Sequence, residues 1–177
     1  PALATPNQLP APQAIFWAAY GAHLLYDLLW DHAVLTPHFR HGECGDKRGR
    51  FLAHNTLLTY MDTAAVAALP PTAAATLRQN HSQGWMPFDP DDKLAEWQEL
   101  LAVQLLPGAP IRTIEIYAQR MGISPAQFAA QLNDPAWMAE QVFCHISLAE
   151  LQTAVDTALA QSISLITHYL CGEQRGR

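Results

Sequence analysis

The segment from His38 to Arg50 concentrates cations, glycines, two histidines and a thiol in one short stretch of the chain. It holds four of the ten Lys and Arg residues and three glycines, and it leads into the start of a predicted helix. Glycine-rich backbone, guanidinium groups and the exposed N–H groups of a helix N-terminus are the groups that bind phosphates and other anions. We therefore predict an anion-binding loop over residues 38–50, formed by Arg40, Lys47, Arg48 and Arg50. Alternatively, the segment is a solvated connection whose glycines only turn the chain.

A histidine precedes a cysteine by three positions at two places, His41–Cys44 and His168–Cys171. Imidazole and thiolate are the ligands that zinc prefers, and residues three apart on a helix project from the same side. The four residues therefore define a possible structural zinc site in a protein otherwise expected to bind no cofactor. In the alternative interpretation, His168 lies near a helix C-terminus, where a cation is favoured, and Cys171 packs as a small apolar residue.

Cys144 and His145 are adjacent in the chain, in a segment for which the sequence predicts a helix. Neighbouring side chains on a helix point in different directions. We therefore expect these two residues not to bind one ion together.

His23, Asp27 and Asp31 follow one another at intervals of four and so share one stripe of the first predicted helix. Carboxylates and an imidazole on a buried helix would suit a metal or proton-transfer site. The interpretation we favour is that this stripe is the side of the helix that meets water.

The neighbouring segment Leu28-Leu-Trp-Asp-His-Ala33 resembles the Leu-Leu-His-Asp segment of HD-type phosphohydrolases, which are helical and metal-dependent. The resemblance covers six residues. Trp30 stands where that family has its first ligand histidine, so only Asp31 carries over. As an alternative function, it implies a metal-dependent hydrolase of a phosphate-bearing substrate. In that hypothesis the ion is held by His23, Asp27, Asp31 and the histidines between 38 and 54, and the anion is bound by Arg40, Arg48 and Arg50.

Other catalytic motifs are missing from the sequence, which has no Gly-x-Ser-x-Gly, no Walker loop and no Cys-x-x-Cys. The chain has five tryptophans and five tyrosines, residue types that anchor interfaces when they are exposed. Trp85-Met-Pro-Phe88 lies between predicted helices, where it is either such an anchor or a plug at the end of the core. Our main prediction is a non-enzymatic helical accessory or regulatory module that binds a partner protein or a second copy of itself.

The 16 acidic and 10 basic residues give a net charge of −6, and an acidic surface repels nucleic acids and anionic membranes. Residues 113–133 have the outline of a helix-turn-helix, but the second helix has no Lys or Arg to contact phosphates, so nucleic acid is not an expected partner. No apolar run approaches the ~20 residues of a membrane-spanning helix. The missing secretory signal and the three scattered cysteines predict a cytoplasmic protein with reduced thiols.

Half of the 177 residues are hydrophobic and 15% are charged, a composition typical of one folded domain. We predict an extended N-terminal arm over residues 1–12, which hold four prolines, followed by a single helical domain over residues 13–177. Apolar residues recur at helical spacing, and prolines, glycines and capping residues separate the segments. The expected fold is an all-α bundle of about seven to eight helices.

The helix boundaries follow from these signals. The first helix is predicted to begin near Pro12 and to end before Pro37. Ser124 and Ser147 begin two capping boxes, and Asp134 caps a third helix. The last helix is predicted from Leu148 to about Leu170, with Gly172 as its terminator. Its buried face is expected to comprise Leu151, Val155, Leu159, Ile163 and Ile166.

Overall fold

The computed structural model describes residues 5–106, 108–109 and 112–171. Within these residues the fold is all-α, with eight α-helices and no strand, which confirms the predicted fold class and number of helices. None of the helices in this part of the chain combines the length and apolar composition that crossing a bilayer requires. The helices are α1 (Ala11–Trp30), α2 (Lys47–Ala68), α3 (Ala73–Arg78), α4 (Asp91–Gln104), α5 (Arg112–Met121), α6 (Pro125–Leu132), α7 (Pro135–Gln141) and α8 (Leu148–Cys171).

Contacts divide the described residues into two compact units. The first unit combines the described residues up to Arg50 with those from Phe143 onward, and the second unit is the intervening segment 51–142. The single domain predicted over residues 13–177 stays a prediction. Gly172, the predicted terminator of the last helix, lies outside the described residues.

The beginning of the chain differs from the extended arm predicted over residues 1–12. Residues 1–4 lie outside the described residues, Pro6–Gln8 form one turn of 3-10 helix, and α1 already begins at Ala11. Proline is favourable in the first turn of a helix because its missing N–H would have no partner there. Pro6 and Pro12 occupy such positions.

The first unit is built on α1 and α8, which run antiparallel and pack through small residues. The hydroxyl of Ser162 donates a hydrogen bond of 3.2 Å to the backbone carbonyl of Ala22, and Leu165 lies opposite Gly21. Small side chains allow the two helix backbones to approach closely. The buried small residues of these two helices are Ala14, Ala18, Ala22, Ala158 and Ser162.

The predicted buried face of the last helix is wrong at two positions. Leu159 and Ile163 are 47% and 62% exposed, whereas Ala158 and Ser162, one position before each, are buried. The close contact with α1 selects the small residues of α8, so Leu159 and Ile163 face outward, whereas Leu151 is buried as predicted.

A π-helical segment, Asp31–Arg40, continues α1 past the proline at which the first helix was predicted to stop. In an α-helix the ring of Pro37 would clash with the carbonyl of Ala33. The wider turns of a π-helix bond each N–H to a carbonyl five residues back, as seen in the 3.1 Å bond from the His41 N–H to the Thr36 carbonyl. The wider turns explain why the helical backbone reaches Arg40.

The second unit contains most of α2 together with α3–α7. α3 packs against α4, where Arg78 donates two hydrogen bonds, of 2.8 and 2.6 Å, to Glu99. The next three helices pack in chain order, α5 on α6 and α6 on α7. The capping box at Ser124 and the cap at Asp134 form as predicted. Large, fully buried side chains of this unit include Leu57, Phe128, Met138 and Val142.

Candidate functional site

The non-helical part of the predicted loop is shorter than residues 38–50. Residues 38–40 complete the π-helical segment, and residues 47–50 form the first turn of α2, which leaves 41–46 as the connection. Asp46 caps α2: its Oδ1 accepts a hydrogen bond of 2.7 Å from the Gly49 N–H, and its carbonyl accepts one from the Arg50 N–H. An aspartate N-cap therefore starts α2 four residues before the first apolar residue of that helix, Phe51.

Two of the four predicted anion-binding residues are engaged within the protein. The guanidinium of Arg40 lies 2.8 Å from the carboxylate of Asp31 and also donates to the Thr36 hydroxyl. Arg50 bonds to backbone carbonyls, while Lys47 and Arg48 are exposed in the first turn of α2. Anion binding by these four residues stays a prediction, and Arg40 and Arg50 already bond to groups of the protein itself.

Arg50 joins the end of the π-helical segment to the connection that follows it. Its Nε donates a hydrogen bond of 3.1 Å to the Phe39 carbonyl, and its Nη1 donates one of 2.6 Å to the Gly45 carbonyl. Gly45 has a φ of +67°, and a Cβ at Gly42 would clash with the His38 carbonyl. The two glycines permit this backbone conformation on both sides of Cys44, and the hydrogen bonds of the Arg50 guanidinium hold it.

The stripe of His23, Asp27 and Asp31 does not converge on one site. The Nε2 atom of His23 lies 3.5 Å from the Asp27 carboxylate, and these side chains are 68% and 60% exposed, whereas Asp31 pairs with Arg40. This geometry agrees with a helix side that meets water. The metal or proton-transfer role of these residues stays a prediction.

A cluster of three potential metal ligands, Cys44, Cys144 and His145, forms where the connection 41–46 meets the turn before α8. Their ligand atoms all lie within 4.8 Å of one another, and no other group of three or more such ligands occurs in the described part of the chain. Only Cys44 of the predicted zinc set belongs to it. The other three residues of that set lie outside the cluster. His41 is exposed three positions before Cys44, and His168 and Cys171 are exposed at the end of α8.

Sequence reasoning missed this cluster because it assigned Cys144 and His145 to a helix. In the structure α7 ends at Gln141, and residues 142–146 form turns before α8 begins at Leu148. A turn does not impose the fixed angle between neighbouring side chains that a helix does, so both residues can face Cys44. The capping box at Ser147, predicted correctly, was the signal that residues 144–146 precede a helix.

The imidazole of His145 lies in a partly buried environment with nearby positive charge. Its Nδ1 is buried and has no hydrogen-bond partner within the described residues, and its ring lies 5.2 Å from that of Phe39. Burial, and then repulsion by Arg50 and by His38, lowers the pKa of His145 below its usual value. The neutral imidazole is therefore favoured, which is the form that binds metals.

An open groove of about 600 Å³ runs between the end of α1, the π-helical segment and the first half of α8. Its lining is mostly apolar, and its polar groups include His32, His38 and Glu150. Hydrogen bonds from the Ser147 hydroxyl and backbone N–H, and the nearby His38, lower the pKa of Glu150. Because Glu150 caps α8 and His38 bonds to the backbone of His145, both groups are already engaged in holding the fold.

The exposed apolar side chains of the first unit include a row on α8. Leu159, Ile163 and Leu170 are exposed and Ile166 is half-buried, at successive intervals of four, three and four residues. In the second unit, Phe88 of the Trp85-Met-Pro-Phe88 segment is exposed, whereas Trp85 and Met86 are half-buried. That segment is therefore only partly covered.

No protein-family model, no curated protein and no solved structure matches this chain. What the protein does is therefore inferred from its own residues and their geometry.

Proposed function

We propose that this protein is a non-enzymatic helical binding module that pairs with a second copy of itself through α8. The observation that supports pairing is the α8 row, which we define as Leu159, Ile163, Ile166 and Leu170. The 4-3-4 spacing places these side chains on one side of the helix and is the spacing through which helices pack against each other. Three of the four side chains are exposed, so a partner helix would remove apolar surface from water.

The absence of Asp, Glu, Lys and Arg along this part of α8 favours a second copy as the partner. Between Thr157 and Cys171 the helix has no Asp, Glu, Lys or Arg, although the chain as a whole carries a net charge of −6. Like charges that face each other across an interface oppose association. Two copies of this segment can pair without such repulsion, and a two-fold interface would match the row with itself.

Two further features fit an accessory or regulatory role in the reducing cytoplasm. The sequence lacks the common hydrolase and nucleotide-binding motifs, and none of the three cysteines forms a disulfide. In a dimer formed through α8, the surface outside the α8 row would occur twice and could bind a further partner at two places. The partly covered Trp85-Met-Pro-Phe88 segment would then be displayed twice.

The test is the molar mass of the protein in solution from micromolar to millimolar concentration, measured by sedimentation equilibrium. We expect the mass to rise from 19.5 kDa to twice that value with concentration. Ile163→Asp places a charge in the middle of the row at an exposed position, so it should prevent pairing without unfolding the chain. Gln161→Asp is the matched control, because it adds the same charge to an exposed position on the other side of α8.

Ile163→Asp should stay at 19.5 kDa at every concentration, whereas Gln161→Asp should associate like the unsubstituted protein. Circular dichroism should show the same helix content in all three proteins. A monomer at every concentration for the unsubstituted chain contradicts the proposal. So does an Ile163→Asp variant that associates as strongly as the control.

A further inference from the structure

We infer that Cys44, Cys144 and His145 bind a zinc ion. These three ligands come from two segments of the first unit, the connection 41–46 and the turn that precedes α8. The inference does not depend on pairing through α8. Of the four ligands that the sequence predicts it keeps only Cys44, and Cys144 and His145 are new.

The spacing of the ligand atoms suits a small tetrahedral ion. Zinc–sulfur bonds are about 2.3 Å and zinc–nitrogen bonds about 2.0–2.1 Å, which separates the ligand atoms of one site by roughly 3.3–3.8 Å. The two sulfurs and the imidazole nitrogen lie within 4.8 Å of one another. Side-chain movements of about 1 Å therefore close the site around an ion.

An independent observation is the Nδ1 atom of His145. It is buried, and no described residue offers it a hydrogen bond. A buried polar atom without a partner destabilises the folded state, and native proteins rarely tolerate one. A metal ion that binds the imidazole through Nδ1 would give this atom a partner and remove that cost.

Surrounding bonds hold both ligand segments in place. Arg50 bonds to the Gly45 carbonyl next to Cys44, and His38 bonds to the carbonyl of His145 itself. Ligand-bearing segments fixed by such outer bonds bind metals more tightly, because less order has to be created on binding. Arg50 and His38 therefore act as positioning residues for the proposed site.

The ligand types select the class of metal. Two thiols and an imidazole suit zinc, whereas magnesium and calcium require oxygen ligands. No carboxylate of the described residues belongs to the cluster. Three protein ligands leave the fourth position of a tetrahedral zinc to a water molecule or another small ligand.

The test is a titration of the full chain, reduced and freed of metal by a chelator, with Zn²⁺ and with Co²⁺ as a spectroscopic substitute. We expect one equivalent of either metal to bind. The cobalt form should show thiolate-to-metal charge-transfer absorption and the visible bands of a tetrahedral site. Absence of metal uptake at micromolar concentration would overturn the inference.

Cys144→Ser and His145→Ala remove one ligand each, and Cys171→Ser and His168→Ala are the matched controls. Loss of a residue that only hydrogen-bonds to a metal ligand weakens metal binding by about 10–100-fold. Loss of a ligand itself should therefore weaken it by roughly a hundredfold or more. The controls should bind zinc as the unsubstituted protein does. Equal weakening in Cys171→Ser and Cys144→Ser would contradict the assigned ligands.

A measurement on the unsubstituted protein covers the case in which a variant fails to fold. Zn²⁺ should slow the reaction of Cys44 and Cys144 with iodoacetamide, as read by peptide mass spectrometry, and leave Cys171 unaffected. Equal reaction rates at Cys44 and Cys144 with and without Zn²⁺ overturn the inference. The inference is also overturned if Cys44 and Cys144 form a disulfide and the protein takes up no zinc after that disulfide is reduced.

Discussion

The Nδ1 atom of His38 donates a hydrogen bond of 2.9 Å to the backbone carbonyl of His145, 107 residues further along the chain. A carbonyl oxygen only accepts, so the bond requires a proton on Nδ1. The bond ties the π-helical segment to the turn that carries Cys144. Like the bond from Ser162 to Ala22, it connects the two ends of the sequence within the first unit.

His38→Ala should lower the free energy of unfolding by about 1–3 kcal/mol, because the partly buried carbonyl of His145 loses its donor. Urea unfolding followed by circular dichroism measures the change. His41→Ala, which alters an exposed histidine of the adjacent connection, should change stability by less than about 0.5 kcal/mol. Equal urea midpoints for the two variants would show that the bond contributes nothing.

Arg50→Lys should increase the rate at which iodoacetamide reacts with Cys44 several-fold in metal-free protein. Lysine keeps the positive charge but lacks the fork that reaches the carbonyls of Phe39 and Gly45 together, so the connection 41–46 should loosen. Arg48→Lys changes an exposed arginine two positions earlier and should leave the rate unchanged. The same acceleration in both variants would mean that Arg50 has no special hold on Cys44.

Gly42→Ala and Gly21→Ala should change stability in opposite directions. At Gly42 a methyl group would clash with the His38 carbonyl, which should cost about 1–3 kcal/mol. At Gly21, inside α1, the methyl group would make an ordinary contact of 3.6 Å with Leu165, and alanine should stabilise the helix by about 0.5–1 kcal/mol. Chemical denaturation gives both values, and destabilisation at Gly21 would show that the α1–α8 contact is tighter than described.

Glu150→Gln should make the melting temperature less sensitive to acid. Hydrogen bonds from Ser147 lower the pKa of Glu150, so the folded state binds that proton less readily than the unfolded state does. This contribution is fully present above the ordinary glutamate pKa of about 4.3 and is lost as the pH falls through the lowered value. Glutamine cannot titrate and can still cap, as Gln127 does at Ser124.

Thermal melts from neutral pH to about pH 3 test this expectation, because they span the ordinary pKa of glutamate. Glu140→Gln, which removes an exposed carboxylate from α7, is the control and should keep the acid sensitivity of the unsubstituted protein. If Glu150→Gln loses stability on acidification as steeply as this control does, the capping carboxylate is not the source of the effect.

Most of the fold could be predicted from interactions between residues that are close in the sequence. The caps at Ser124, Asp134 and Ser147 depend on residues within three positions of each other, and all three form as the sequence predicts. The start of α8 at Leu148 follows from the last of them. Short-range hydrogen bonds of this kind carry their own geometry, so the sequence alone specifies them.

The candidate site required information that short-range patterns do not contain. Pro37 stops an α-helix, but the helical backbone continues past it as a π-helix, which the spacing of apolar residues does not predict. The approach of Cys44 to Cys144 joins residues separated by 100 positions, and no spacing rule links them. Likewise, the outward position of Ile163 follows from the small residues of α1 against which the neighbouring face of α8 packs.

The first unit is assembled from both ends of the sequence, so the segment 51–142 leaves it after Arg50 and returns to it at Phe143. Cys44 and Cys144 lie close together near these two points, so the exit and the return are neighbours in space. In topological terms the second unit is an insertion within a loop of the first. The entropy of closing a loop grows only with the logarithm of its length, so this position tolerates chains of very different size. A longer, shorter or different insert at this position should therefore leave the pairing of α1 with α8 intact.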